Sequence, residues 1–302
     1  MIGSLYAGHL ARVAETAVLC RRDEHAAALN ERGLRVTGRH DFRGSVLAAT
    51  SPEELPEPRL AIVAVKTTEL EAVADRLVGH WPGAAVMTVQ NGLGAEDVFA
   101  ARGTWPLISA VTFMSGTKHS DTEVEYILDT ETWLGPYGEM AYELVEEVTE
   151  LLLRAELKAR AFRDLRPAQW SKLIFNATVN EIAALTELPH DPHFAARERP
   201  EDLGHLAYDL IAEGKQVAAA AGVELHEDPW EMNVLATQRG SRHYPSMLED
   251  VRARRPTEVD QIGGALVREA ERLGVPVPLH AALWRLVKAR ESSWSTEAPP
   301  LP

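Results

Sequence analysis

The strongest constraint on the fold is a change of periodicity near residue 163. Before it, short β-branched apolar runs alternate with amphipathic helical stretches. TAVLC, LAIVAV (60–65), AAVMTV (84–89) and PLISAVTF (106–113) have the length and composition of strands buried on both faces. Between them, TELEAVADRLVGH (68–80) sets Leu70, Val73, Leu77 and Val78 on one helical face. Strands alternating with helices predict a parallel sheet wrapped on both sides. From Glu123, EVEYILD and TWLGPY predict an antiparallel edge, followed by a helix at 139–155. After RDLRPAQW the strand signal stops, and 167–290 reads as helices, the segment PTEVDQIGGALVREAERLG ending at Gly274 with Pro276 and Pro278 beyond. The expected architecture is an α/β domain over 1–163 joined to an all-helical domain over 164–302, with the polar tail ESSWSTEAPPLP frayed.

Length and composition narrow the function classes. A chain of 302 residues, 45% apolar and 25% charged, is that of a globular protein with one large or two ordinary domains. No stretch reaches the ~18 apolar residues of a membrane span. The single Cys20 excludes an internal disulfide framework and points to a reducing, cytoplasmic setting. With 31 basic and 45 acidic residues the formal charge is −14. Such a surface repels nucleic acid and anionic lipid, so neither is an expected partner, and an anionic ligand needs a local basic pocket. No metal site is expected.

Several stretches carry chemistry. In MIGSLYAGHLARVAETAVLCRR, Gly3 and Ser4 open a helix-like run in the manner of the third glycine of a phosphate-cradling GxGxxG turn. No strand precedes that glycine, so the domain is expected to lack the first strand and the first two glycines of the motif, which would weaken dinucleotide binding. Arg21 and Arg22, after the first apolar run, favour the 2′-phosphate of NADP(H) over the free ribose of NAD(H). Lys66 and Asn91-Gly92 stand at the carboxyl ends of predicted strands, where ligands of open α/β sheets collect, although Asn-Gly is also a common turn.

In WSKLIFNATVNEIAAL, Lys172, Asn176 and Asn180 recur at i, i+4 and i+8 on an otherwise apolar helix. A cation and two amides on one such face ask for a polar ligand; the alternative is a solvated edge or amides capping a neighbouring helix. In YPSMLEDVRARRPTEVDQIGGAL, Ser246 and Glu258 flank Arg252, Arg254 and Arg255. Thr257 and Asp260 have capping-box spacing, which would leave Glu258 as an ordinary first-turn carboxylate.

Taken in order, Gly3-Ser-Leu-Tyr-Ala, Arg22, VKTTELEA, QNGLGAE, KLIFNATVN, PSMLEDVRARRPTEVD and GVPVP resemble the ketopantoate reductase (2-dehydropantoate 2-reductase) family over residues 2–290. The resemblance implies an N-terminal Rossmann-type domain for NADPH, a helical domain, and reduction of a 2-oxo acid to a D-2-hydroxy acid. The default reaction is that of pantothenate biosynthesis, 2-dehydropantoate to D-pantoate. It implies Lys172 as general acid, with Glu258 near the substrate hydroxyl and the cofactor. Asn176 and Asn180 are then substrate-binding residues, and Ser246 holds the substrate carboxylate. Asn91 lies between cofactor and substrate, Lys66 near the cofactor, and Gly116 on the loop beside the nicotinamide. Glu213 is similar to an acid that pairs with the lysine in an open state. The chain departs from the family at His190 and His243, where Asn is common, at Pro245 in place of Ser, and at Glu181 in place of Pro. His243 is thereby a candidate substrate contact, and a different branched or aromatic 2-oxo acid is an alternative substrate. A non-catalytic binding module is the third reading, and the family admits a homodimer.

Overall fold

The computed structural model describes residues 1–196, 202–238 and 244–294. Two compact units divide them: one holds 1–90 and 95–165, the other Asn91–Gly94 together with the chain from Arg166.

The first unit opens with α1 (Ile2–Leu10), β1 (Ala17–Leu19), α2 (Asp23–Arg32), β2 (Leu34–Gly38), β3 (Phe42–Gly44) and β4 (Leu47–Ala49). It continues through β5 (Leu60–Val63), α3 (Leu70–Leu77), β6 (Ala85–Thr88), α4 (Ala95–Ala100) and β7 (Leu107–Thr112). β8 (Ser115–Ser120), β9 (Glu123–Leu128), β10 (Thr132–Pro136), α5 (Tyr142–Arg154) and β11 (Ala159–Ala161) complete it. The main sheet runs β11-β10-β7-β6-β5, parallel from β5 to β7 and antiparallel at β10. A second sheet runs β3-β2-β9-β8, and β1 pairs β4 in a parallel ribbon of its own.

Three expectations are corrected here. Only β6 and β7 are buried throughout; β1 and most of β5 are half-exposed. Among the described residues no strand pairs the free edge of β5 or of β1. β10 is not an edge, because β11 adds to it in parallel, and β9 joins β2 rather than the main sheet. Val78 lies outside α3 and is exposed, while Leu70, Ala74 and Leu77 form the buried stripe.

The second unit consists of α6 (Arg166–Thr186), α7 (Asp202–Ala220), α8 (Pro229–Thr237), α9 (Ser246–Arg252), α10 (Gly263–Leu273) and α11 (Pro278–Ser293). α6 is its axis. Leu173, Ile174 and Ala177 pack with Ile211, Met247, Val259 and Leu266, and each such large apolar side chain contributes about 1.5–3 kcal/mol on burial. Gly214 of α7 lets the helices close up, since a Cβ there would stand 2.6 Å from Ile174 Cγ2. α10 ends at Gly274 in the left-handed region (φ 69°), as a terminating glycine does. α11 runs on to Ser293, so the start of the expected frayed tail is helical; 295–302 lie outside the described residues. Among the described residues no helix is long and apolar enough to cross a membrane.

Candidate active site

α6 holds the central groups because its sequence makes it a helix buried on most sides. Lys172, Asn176 and Asn180 fall on successive turns, each less than a tenth exposed. The solvated-edge alternative is thereby excluded. Asn180 Oδ1 accepts from the N–H of Met247 at 3.4 Å, and its Nδ2 donates to the Asn176 carbonyl at 3.1 Å. Asn176 Nδ2 donates to Asn91 Oδ1 at 3.5 Å, and Asn91 Nδ2 to Glu258 Oε2 at 3.4 Å. These long contacts string four side chains together, Asn180 joining through the Asn176 backbone, and leave donor capacity for a further acceptor.

Asn91 reaches this string through a backbone that only glycine allows. Gly92 has φ 94°, and a Cβ on it would lie 1.9 Å from the Gln261 carbonyl oxygen, to which Leu93 N also donates at 3.2 Å. Asn-Gly here is a docking device for 91–94 on the 258–262 turn, not merely a loop.

Glu258 is corrected from the helix-start reading. α10 begins only at Gly263, and 258–262 form a turn in which Gln261 N and Ile262 N both donate to the Glu258 carbonyl at 3.1 Å. Asp260 does not close a capping box; its carboxylate accepts from Trp284 Nε1 and Lys288 at 2.8 Å. Thr257 Oγ1 donates to Glu291 Oε1 at 2.6 Å and accepts from Val259 N at 3.2 Å. The packing of α11 against this turn outweighs the local capping pattern.

Burial lowers the Lys172 ammonium to about 8, with the negative charge of Glu258 acting against the fall. A lysine so placed is poised to give up and regain a proton near neutral pH.

Ser246 is exposed at the first residue of α9, beside the Met247 N–H that Asn180 engages. His243 lies outside the described residues. Arg252 stacks over Tyr244 at 4.5 Å and bonds the Glu187 carbonyl, and Arg255 pairs with Asp250 at 3.1 Å. Arg252 and Arg255 therefore serve the fold.

Two other expectations give way to packing. Glu213 accepts from Leu279 N at 3.0 Å and His280 N at 3.1 Å, capping α11, and does not pair with Lys172. His190 is buried, its Nε2 bonded to Asn233 Oδ1 at 2.8 Å and its ring edge-on to Phe194 at 4.9 Å. Glu181 is wholly buried against Gly263, and neither carboxyl oxygen has a partner; burial holds its carboxyl well above the ordinary range.

In the first unit, Gly3 lies in the opening turn of α1, where a Cβ would come 3.3 Å from Ala64 Cβ, and Ser4 follows it. The N–H groups of that turn lack intrahelical acceptors, which suits a pyrophosphate. Lys66 is exposed in the segment after β5, where Gln90 Nε2 ties the two strand ends by bonding the carbonyls of Val63 and Val65. Gly116 is corrected from loop to strand: it sits at a bulge of β8, and a Cβ there would meet the Glu125 carbonyl at 2.3 Å. Arg22 pairs with Asp121 at 2.7 Å, and Lys118 with the same carboxylate at 2.7 Å. Neither Lys118 nor Asp121 had a signal in the sequence, because they stand about a hundred residues from Arg22 in an ordinary polar strand end.

Residues 1–139 match the family described as ketopantoate reductase PanE/ApbA, and residues 164–291 match its C-terminal domain. The chain belongs to the ketopantoate reductase family. A relative in that family, 2-dehydropantoate 2-reductase of Pyrococcus abyssi, is 30% identical over 296 residues, covering 96% of this chain and 95% of its own. A PanE/ApbA family ketopantoate reductase from Ralstonia eutropha JMP134 superposes with a TM-score of 0.85 at 25% identity, over 96% of this chain and 95% of its own. D-mandelate dehydrogenase, solved with NADH and anilino(oxo)acetate, shares the fold with a TM-score of 0.87 at 20% identity, over 98% and 97% of the two chains. The Rossmann-like N-terminal unit and helical C-terminal unit are those of the family.

Proposed function

We propose that this chain reduces 2-dehydropantoate to D-pantoate with NADPH, and that Lys172 is its general acid. The observation that carries the reading is the buried Lys172 ammonium, lowered to about 8, at the head of a string of amides and a carboxylate. The bound nicotinamide supplies the hydride. As the keto oxygen gains negative charge, Lys172 stabilises it and donates a proton from Nζ. A cation preorganised in a buried site is worth far more there than in water. Glu258 keeps that lysine charged by countering its desolvation. Asn176 and Asn180 orient the substrate through their free amide capacity, and Ser246 receives the carboxylate. Gly3, Ser4, Lys66 and Gly116 hold the nucleotide, Asn91 and Glu258 meet it at its reacting end, and Arg22 takes the 2′-phosphate.

A branched or aromatic 2-oxo acid other than 2-dehydropantoate has weaker support. One departure that favours it, His190, is occupied in packing the helical unit. Steady-state rates on a panel of 2-oxo acids with NADPH and with NADH test the assignment. The highest kcat/KM is expected for 2-dehydropantoate with NADPH; an aromatic acid in first place sinks the substrate, and turnover with none sinks the enzyme reading.

A further inference from the structure

We propose that Lys118 and Asp121 complete a selector for the phosphorylated nucleotide. Lys118 is the second cation for an adenosine 2′-phosphate beside Arg22, and Asp121 is an internal anion that holds both cations until the phosphate displaces it. This rests on the nucleotide reading above and adds residues and a mechanism of selection to it.

Arg22 is the residue before α2, directly after the short β1 segment; Lys118 comes from β8 and Asp121 from the turn between β8 and β9. The two cations engage different oxygens of one carboxylate: Arg22 NH2 on Oδ2 at 2.7 Å and Lys118 Nζ on Oδ1 at 2.7 Å. Both are thereby gathered at the distance from a small oxyanion that a phosphate requires, since phosphate oxygens are spaced only slightly wider than carboxylate oxygens. The turn is anchored on α2, because His25 donates from Nε2 to the Asp121 carbonyl at 3.0 Å. Arg21, the other cation of the pair in the sequence, turns away to Glu69 at 3.2 Å.

The site is open enough to exchange its anion. The side chains of Arg22, Lys118 and Asp121 keep 50%, 36% and 28% of their exposure, so these ion pairs are screened and individually weak. A phosphate carries about −1.5 to −2 at neutral pH and three acceptor oxygens, and so outcompetes a single carboxylate for two cations. The pairing with Lys118 and Arg22 pulls the Asp121 carboxyl down to about 2, so it remains ionised wherever the protein works. On a chain of net charge −14, such a local pair of cations is what an anionic ligand needs. A nucleotide without the 2′-phosphate leaves both cations on Asp121 and gains nothing from them.

The test is titration calorimetry of the full chain with 2′,5′-ADP and with 5′-AMP, compared with Lys118→Gln and Asp121→Asn. The unmodified chain is expected to bind 2′,5′-ADP at least about 10-fold tighter than 5′-AMP. Lys118→Gln loses about 10-fold on 2′,5′-ADP and less than about 2-fold on 5′-AMP. Asp121→Asn gains about 3-fold on 2′,5′-ADP, because the competing anion is gone. The proposal is overturned by equal affinities in the unmodified chain, by equal losses on both nucleotides in Lys118→Gln, or by weaker 2′,5′-ADP binding in Asp121→Asn. Turnover of 2-oxo acids with NADPH, without this selectivity, leaves the proposed reaction standing and removes the selector. Selective binding without turnover does the reverse.

Discussion

Two groupings of a cation with a carboxylate occur in this protein, and water separates their behaviour. In the first unit, Arg22 and Lys118 share Asp121 with each side chain more than a quarter exposed, and the pairing drives the acid down to about 2. In the second, Lys172 and Glu258 are each less than a tenth exposed, and burial drives the base down to about 8 despite the nearby carboxylate. Where solvent remains, opposite charge decides the protonation state and the groups stay charged. Where solvent is removed, desolvation outweighs the partner and leaves the lysine close to titration. The exposed grouping is suited to exchanging one anion for another, the buried one to moving a proton.

The sharpest break in that contrast is Lys172→Met, expected to lower kcat/KM for 2-oxo acid reduction about 10³-fold while circular dichroism shows an unchanged fold. A loss under tenfold would remove Lys172 as the acid. Asn180→Leu is expected to cost about 100-fold, mainly in KM, through lost orientation of the substrate; unchanged kinetics would return Asn180 to the packing of α9. Gly92→Ala forces a residue with a Cβ into φ 94° and into the Gln261 carbonyl, and about 2 kcal/mol of stability should be lost in urea unfolding. An unaltered midpoint would mean the 91–94 segment is not docked as described.

The pH profile reads the comparison directly. On the proposed mechanism reduction needs the Lys172 ammonium, so kcat/KM is expected to be flat below about 8 and to fall roughly tenfold per pH unit above it, with oxidation of the hydroxy acid rising over the same range. Glu258→Gln, which takes away the charge that opposes the fall, moves this limb to lower pH; a move upward contradicts the assignment. A further pH effect concerns Glu181. Its carboxyl is raised by burial, so its contribution to stability is full below the unfolded value of about 4.3 and is lost as pH rises through the folded value. Glu181→Gln should flatten the decline in stability that sets in as pH rises above the unfolded value; parallel pH curves for variant and parent would discard it.

Much of the site was legible because it lies on one helix. The i, i+4, i+8 spacing of Lys172, Asn176 and Asn180 survives folding unchanged, since helical periodicity is local. Glu258 was legible as a residue but not in its local structure: its neighbours Thr257 and Asp260 spelled a helix cap, and contacts with Glu291, Trp284 and Lys288, 24 to 34 positions away, prevailed. His190 and Glu213 misled for the same reason. Each satisfies a distant backbone or side chain of the helical unit. β2, β3, β4 and β11 escaped detection because three to five residues carry too little periodicity to stand out.

By itself the sequence determined the α/β-then-helical plan, the family, and the polar stripe of α6, because periods of two and 3.6 and a stripe at helical spacing are properties of neighbours along the chain. Only the tertiary structure decided that Asn91–Gly94 belongs with the helical unit and that Glu258 stands in a buried turn rather than a helix start. It also decided that Lys172 is desolvated and that Lys118 and Asp121 gather around Arg22. Burial and charge pairing depend on which distant segments exclude water from a group, and that is settled when the chain packs.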